Sequence, residues 1–349
     1  MPSPWAMPDY DDHEIVNFVS DRASGLQAVI AVHSTHRGPG AGGVRFWHYA
    51  DPQAAVTDVL RLSRGMSYKN AMAGLPLGGG KAVILAGEER HKTPEMLAAY
   101  GRAVEGLCGR YVTAEDVGMT MSDMVAIAKQ TRHVSGLPVA AGSIGGDPGP
   151  HTSKGVFLGL EAAVKRALGK DSVSGIHIAI QGAGSVGGGL ARLAAAQGAR
   201  VSIADVDGVR AAALAREIGG RTVPADDILS IKADVISPCA LGAILTEESI
   251  DALRTPIVAG GANNQLAAPG CGARLHARGI LYAPDYVINA GGIINVASEH
   301  LGDTDAGIVE ARIAAIPARL EQIWTDGAAS GEDPAAVADR MAQKLIGRP

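Results

Sequence analysis

The order of apolar and polar positions divides the chain into short strands and helices. "LQAVIAVHS" (26–34) is an apolar run of strand length and predicts a buried strand. In "DPQAAVTDVLRLSRGMSYKNAMA", apolar residues recur at Val56, Val59, Leu60 and Met66, the spacing of one helical face. Asp51 can cap that helix, and Pro52 suits its first position. "KAVIL" (81–85) predicts a strand, and "TPEMLAAYGRAVEGLCG" a helix opened by Thr93 and Pro94. "RYVTAEDVG" (110–118) predicts a strand running into a loop, and "MSDMVAIAKQT" another helix. Residues 13–17 read as a short helix, and "GPGAGGVRF" (38–46) as a glycine loop.

"GLPVAAGSIGGDPGP" (136–150) is dense in Gly and Pro and is the candidate domain junction. A helix follows from Thr152 to Arg166. The pattern then becomes strand ("IHIAIQ", 176–181), glycine turn and helix ("GAGSVGGGLARLAAAQG"), and strand ("RVSIADVD", 200–207). Short strands at 234–238, 256–261 and 280–284 each lead into loops of small or polar residues. That alternation predicts a parallel, doubly wound sheet. "DYVINAGGIINVASEHLG" and the tail from Asp305 read as helical.

Bulk properties narrow the class. A chain of 349 residues with 47% hydrophobic and 19% charged residues suits two α/β domains. The 46 glycines lie among Val, Ile and Leu, so they suggest close helix–sheet packing rather than disorder. A net charge of -5 without a basic run argues against nucleic acid. No apolar run is long enough for a membrane span, and the acidic opening "MPSPWAMPDYDDHE" lacks a leader pattern. Cys108, Cys239 and Cys271 are too dispersed for a disulfide framework or a CxxC site, and no histidines have ligand spacing. These features predict a cytoplasmic protein with no metal.

Two stretches carry candidate chemistry. Gly182, Gly184 and Gly187 in "QGAGSVGGG" have the G-x-G-x-x-G spacing between a predicted strand and helix, and Asp205 ends the next strand. The expected result is a dinucleotide site: a tight turn at Gly182, close backbone approach at Gly184, close packing at Gly187, and phosphates at the helix start beside Ser185 and Val186. Asp205 would accept a ribose 2′-hydroxyl and repel a 2′-phosphate, favouring NAD over NADP, with Arg210 nearby. In "SYKNAMAGLPLGGGKAVI", Lys69 and Lys81 flank a glycine-rich segment. It is not a phosphate loop, because Leu75 replaces the outer glycine and Ala82 the Ser or Thr. Either the lysines reach solvent, or one holds an anion while the other, its pKa lowered by burial, moves protons. Glu115 and Asp116 offer a carboxylate partner, or else cap a loop.

These motifs, with "GPGAGGVRF", "YVTAEDVG", "PCALGAIL", "GGANNQL" and "ILYAPDYVINAGGIINVASE", resemble the leucine/phenylalanine/valine branch of the amino acid dehydrogenases in family order from about residue 25 to 300. The resemblance implies an N-terminal α/β substrate-binding and oligomerisation domain (1–140 plus about 310–349) and a Rossmann-type NAD domain (141–309), with a catalytic cleft between them. It implies reversible oxidative deamination: L-amino acid, NAD⁺ and water give a 2-oxo acid, ammonia and NADH, in a homo-oligomer. Lys69 matches the carboxylate-binding lysine, Lys81 the catalytic lysine, and Asp116 the acid that assists proton transfer at the amino group. Asn263 matches an asparagine near substrate and cofactor, and Thr152 a cofactor contact. Cys239, Ala240 and Asn289 fall in loops that resemble nicotinamide contacts. His151 suits a surface or cap role better than a cofactor contact.

Ala41, with Gly42 beside it, Met66, Ala114, Ile293 and Val296 match the side-chain pocket, and none is charged. Ala41 stands where glutamate dehydrogenases place a lysine, so a distal carboxylate would be buried unpaired. Branched aliphatic substrates are favoured by the resemblance of "GGIINVA" to leucine and valine enzymes. Phenylalanine is second, because Ala41 is small. The competing classes are a single-lysine dehydrogenase acting on another substrate, and a non-catalytic NAD-binding regulator, which would lack one of the lysines.

Overall fold

The computed structural model describes residues 4–89, 91–138, 145–240, 242–303 and 305–348. The chain divides into two compact units: Met1–Gly146 with Asn295–Val309 and Ala342–Pro349, and Asp147–Ile294 with Glu310–Met341.

In the first unit, β1 (Ile15–Asp21), β2 (Leu26–Ser34), β3 (Gly40–Trp47), β4 (Gly78–Leu85) and β5 (Tyr111–Glu115) form a sheet of order β1-β2-β4-β3-β5. β2 pairs antiparallel with β1 and β4, while β3 pairs parallel with β4 and β5. α1 (Pro52–Met72) covers one face, packing Val56, Val59 and Leu60 on Val29, Ala31 and Val83. Each such side chain, fully buried, contributes about 1.5–3 kcal/mol. α2 (Pro94–Glu105) and α3 (Met121–Ala128) supply Leu97, Tyr100, Met124 and Ile127 to the opposite face. The expected caps form: Asp51 accepts from the Gln53 N–H, and Thr93 from the Met96 N–H.

Two expectations for this unit are corrected. The segment expected to be a short helix at 13–17 runs into β1, where "IVNFVSD" alternates along an edge strand paired with β2. The expected glycine loop at 38–46 is largely β3, a strand paired on both sides. Its glycines are demanded by space: a Cβ on Gly42 would lie 2.0 Å from the Gly80 carbonyl oxygen.

A polar network ties the chain's end to this unit. His33 on β2 has a fully buried side chain; Nδ1 lies 2.8 Å from Ser67 Oγ and Nε2 3.0 Å from Asp11 Oδ2. His13 Nε2 lies 3.0 Å from Ser63 Oγ, and Arg348 pairs with Asp11 at 3.0 Å. Burial, then the Arg348 charge, push His33 down to about 4, against a weaker upward pull from Asp11. The unfolded chain therefore binds a proton near pH 6.5 that the folded chain refuses until about pH 4. Stability from this group is fully present above pH 6.5 and declines toward pH 4, by about 1.4 kcal/mol per pH unit. Burial lowers His13, His177 and His300 as well, so urea unfolding at pH 7 and 4.5 should show a decline to which His33 contributes, and His33→Asn should make that decline smaller. An equal decline in the variant would exclude His33 as a cause.

The second unit holds β6 (His177–Gln181), β7 (Arg200–Ala204), β8 (Arg221–Thr222), β9 (Val235–Pro238), β10 (Ile257–Val258) and β11 (Leu281–Tyr282) in one parallel sheet of order β11-β10-β9-β6-β7-β8. This is the doubly wound order, and it reverses between β6 and β9. Its helices are α4 (Gly149–Leu168), α5 (Ser185–Ala196), α6 (Gly208–Ile218), α7 (Glu247–Ala252), α8 (Gly270–Ala277), α9 (Asp285–Ile288) and α12 (Ile316–Ser330). α10 (Gly291–His300), α11 (Ala306–Ala314) and α13 (Pro334–Leu345) contribute residues to both units.

The tail helices differ from expectation. Residues 310–341 belong to the second unit, and only 342–349 return to the first. The cause is the apolar stripe of α12: Ile316 and Leu320 seat on Gly155 and Gly159 of α4, where an added Cβ would lie 2.8 and 2.9 Å from them. Trp324 Nε1 donates to the Tyr282 carbonyl at 2.9 Å. The expected boundary at 140/141 lies outside the described residues.

Candidate active site

In the first unit, β4 places Lys81 between Gly79 and Val83 on the face under α1: a Cβ on Gly79 would strike Ser67 and Ser63 of α1, and Val83 packs on α1's apolar stripe. Lys81 is 7% exposed, and its Nζ lies 2.6 Å from Asp116 Oδ2. Of the two expected carboxylates, Asp116 is the one that meets the lysine, while Glu115 is exposed. Asp116 fits here because Gly43 has no side chain; a Cβ there would lie 2.8 Å from Asp116 Cβ. Burial alone would raise the Asp116 carboxyl, but Lys81 and Arg45 outweigh it and hold it at about 2.

The other expected substrate residues of this unit lie close by in the fold. Ala41 pairs with Gly79 across β3–β4, and Ala114 with Gly43 across β3–β5. Met66 Cγ sits 3.0 Å from the place of a Gly42 Cβ. Lys69 lies on the last turn of α1, beside Asn70. Asn70 Nδ2 donates to the Gly78 carbonyl at 2.6 Å and to the Ala41 carbonyl at 3.4 Å. That amide fixes the turn carrying Lys69 to the strand carrying Lys81. α10 carries Ile293, in the second unit, and Val296, in the first; both are half-buried, and their spacing of three puts them on one side of that helix.

Sequence reasoning passed over Arg45, Asp58, Tyr49 and Asn70. Arg45 Nε donates to Asp116 Oδ2 at 2.9 Å and Nη1 to Asp58 Oδ2 at 2.9 Å; the Tyr49 hydroxyl donates to the same Asp58 oxygen at 2.5 Å. Asn70 follows Lys69 directly, which was the one available signal. Arg45 carried none, because it lay inside a segment read as loop.

In the second unit, the glycine turn forms at the strand-order reversal. Gly182 has φ +100°, a conformation that favours glycine, and its N–H donates to the Ala204 carbonyl at 2.7 Å. A Cβ on Gly187 would lie 2.0 Å from the Gly182 carbonyl oxygen, so helix and turn close only with glycine there. Gly184 gives α5 no side-chain cap, which leaves the helix N–H groups beside Ser185 and Val186 for an anion. Cys239 and Ala240 follow β9 and touch the turn: Cys239 N–H donates to the Gln181 carbonyl at 2.7 Å, and a Gly182 Cβ would meet Ala240 Cβ at 3.0 Å. The Asp205 carboxylate accepts from the Ala183 N–H at 2.7 Å and the Asp207 N–H at 2.8 Å, with Arg210 Nη2 at 3.3 Å.

Asn289 Nδ2 donates to Asn263 Oδ1 at 2.8 Å, so these two expected residues meet, and Asn289 Oδ1 is buried with no protein partner. Thr152 lies in the first turn of α4 and donates to the Pro148 carbonyl at 2.8 Å. Neighbouring Lys154 forms an ion pair with Glu310. The positive-φ turn, the uncapped helix start, the strand-end acid and the unpartnered buried amide oxygen together fit a dinucleotide. Among the described residues there is no His/Cys/Asp/Glu group that would hold a metal, and no helix long and apolar enough to cross a membrane.

A parallel sheet of this order, turning on glycine at the reversal, places the second unit among the dinucleotide-binding domains of α/β oxidoreductases. Family models agree: residues 13–133 match the Glu/Leu/Phe/Val dehydrogenase dimerisation domain, and residues 210–326 match glutamate/leucine/phenylalanine/valine dehydrogenase. The chain is 44% identical to a leucine dehydrogenase of Bacillus subtilis (strain 168), covering 98% of this chain and 93% of that one. It is 45% identical to a valine dehydrogenase of Streptomyces albus, covering 97% and 93%. The crystal structure of L-tryptophan dehydrogenase from Nostoc punctiforme superposes with a TM-score of 0.84 at 39% identity, covering 96% of each chain. The chain belongs to the Glu/Leu/Phe/Val dehydrogenase family and is an amino acid dehydrogenase.

Proposed function

We propose that this protein catalyses the NAD-dependent, reversible oxidative deamination of apolar L-amino acids, with leucine, valine and isoleucine preferred. The 2.6 Å pair of Asp116 with Lys81, which stands on a glycine-lined strand, carries the reading. When bound, the dinucleotide supplies the acceptor for the hydride that leaves Cα. Lys69 binds the substrate carboxylate as its counter-charge. Asp116, kept ionised at every working pH, accepts an N–H of the substrate amino group through its carboxylate. Lys81 Nζ, as the amine, takes a proton from the water that attacks the imine carbon, returns it to nitrogen, and then takes the carbinol O–H proton as C=O forms and ammonia leaves. Asn289 holds the Asn263 amide in one orientation through the 2.8 Å hydrogen bond.

NAD rather than NADP is supported by Asp205, whose carboxylate meets the backbone of the glycine turn. Gly182, Gly184, Ser185, Val186, Gly187, Thr152, Cys239 and Ala240 would form the rest of that site. Ala41, Gly42, Met66, Ala114, Ile293 and Val296 place no charge where the side chain would lie, which argues against an acidic substrate. The similarity to leucine and valine dehydrogenases agrees. Aromatic substrates are the second reading, supported by the small Ala41 and by the L-tryptophan dehydrogenase relative. The family's dimerisation domain supports a homo-oligomer, and the unpaired Cys108, Cys239 and Cys271 suit a cytoplasmic enzyme.

NADH formation measured across all L-amino acids at alkaline pH tests the reading. Branched aliphatic substrates should give the highest kcat/KM. Lys69→Ala should raise KM for leucine by about 10–150-fold, the worth of a charge-assisted hydrogen bond. Turnover of no L-amino acid would exclude the activity, and highest turnover with phenylalanine or tryptophan would move the preference to aromatics.

A further inference from the structure

We propose that Arg45 is a positioning residue for the proton-transfer pair, holding the Asp116 carboxylate in its working orientation and keeping it charged when Lys81 becomes neutral. This rests on the assignment of Lys81 and Asp116 above. Lys81 Nζ and Arg45 Nε converge on one oxygen, Asp116 Oδ2, at 2.6 and 2.9 Å. Both cations hold the carboxylate through Oδ2, which leaves Oδ1 as the oxygen for an N–H of the substrate amino group.

Each cation has a distinct part. Lys81 must lose and regain its proton in every turnover. Were it the sole counter-charge, Asp116 would lose its partner at the moment Lys81 became an amine, and the proton would be drawn to the carboxylate. The guanidinium does not titrate in the working range, so it supplies a permanent second charge. Arg45 is itself held from behind: Asp58 accepts from its Nη1 at 2.9 Å, and the Tyr49 hydroxyl donates to Asp58 at 2.5 Å. Burial acts against the charge on Arg45, yet Asp116 and Asp58 more than compensate. The chain joins three elements through this one side chain: β3 carries Arg45, α1 carries Asp58, and Asp116 follows β5.

The site can be reached from outside. Arg45, Trp47, Tyr49, Asp58, Arg61 and Val117 line an open cavity of about 610 Å³, wide enough to admit a small guanidinium. Arg45→Ala should therefore lower kcat for leucine by at least about tenfold, with a smaller change in KM and unchanged NAD affinity. Methylguanidinium should restore kcat saturably, whereas methylammonium or NaCl at equal ionic strength should not. A folded Arg45→Ala enzyme with kcat within about twofold of wild type, a loss confined to KM, or failure of methylguanidinium to rescue would overturn the proposal. If Arg45→Ala does not fold, Arg45→Lys decides: it keeps the charge but cannot reach both carboxylates, so its kcat should fall, and wild-type kcat would refute the role. Lys81→Ala run alongside separates the two readings. Wild-type turnover in that variant would sink the proposed mechanism itself, whereas an inactive Lys81→Ala beside a fully active Arg45→Ala would sink only the role of Arg45.

Discussion

Lys81→Ala is expected to lower kcat for oxidative deamination by about 10²–10⁴-fold, the usual worth of a positioned acid–base group, while leaving a folded protein that still binds NAD. The fold should survive because Asp116 keeps a partner: Arg45 Nε stays at 2.9 Å and supplies the positive charge that Lys81 gave up. Dinucleotide binding should survive because Gly182, Gly187 and Asp205 belong to the other compact unit. Asp116→Asn should be equally inactive but less stable. Arg45 keeps Asp58 as a partner, but buried Lys81 is left beside a neutral amide, and breaking a buried ion pair costs up to about 3–5 kcal/mol. Because Asp116 is held at about 2, its loss of charge cannot account for any acid limb of the wild-type rate profile above pH 4. The measurements are kcat and KM for leucine, NAD affinity, and urea unfolding for both variants. A folded Lys81→Ala enzyme that keeps more than about a tenth of the turnover would exclude Lys81 as the acid–base group.

The dinucleotide turn was legible because its requirements are local. Strand, three spaced glycines, helix and strand-end acid lie within one short stretch, and each residue answers a nearby backbone demand. The lysine pair was legible as a pattern, but its chemistry waited on a partner from another strand. Asp116 reaches Lys81 only through the parallel pairing of β3 with β4 and β5, and Gly43 makes the room. Arg45 was hidden for a related reason. In glycine-rich β3 the hydrophobic alternation is confined to Val44–Arg45–Phe46, too short a run to mark a strand, and pairing with neighbours on both sides completes it. The edge strand β1 was mistaken for a helix over a window too short to tell the two periods apart. The tail helices followed α4 because Gly155 and Gly159 open a groove for Ile316 and Leu320, a fit between segments more than 150 residues apart. The His13–His33 network was missed similarly, as its members come from four separate segments.

The three glycines before Lys81 are expected to be the least replaceable of the residues outside the chemistry, and Gly79→Ala to be the most damaging single methyl. They are extended strand residues and none has a positive φ, so backbone freedom does not explain them. Space does. A Cβ on Gly78 would lie 1.9 Å from the Ser34 carbonyl oxygen; on Gly79, 2.1 Å from Ser67 N and 2.4 Å from Ser63 O; on Gly80, 2.5 Å from the Tyr111 ring. At Gly79 the obstacle is the backbone of α1, a 21-residue helix that can yield only as a body. Shifting it would strain the packing of Val56, Val59 and Leu60, break the Asn70–Gly78 hydrogen bond, and carry Lys69 away from Lys81's strand. Overpacking typically costs about 1–3 kcal/mol, and the rigid neighbour places Gly79→Ala at or above the upper end. Gly65→Ala, on the exposed side of the same helix with nothing within 4 Å of the added methyl, is the matched control. It should stabilise by about 0.5–1 kcal/mol, since alanine loses less entropy in a helix. Urea unfolding of the two variants, with KM for leucine beside it, separates the effects. Gly79→Ala should unfold at lower urea and bind leucine more weakly, and Gly65→Ala should unfold at higher urea with KM unchanged. Equal stability of Gly79→Ala and wild type would mean that α1 does not sit on this strand as described.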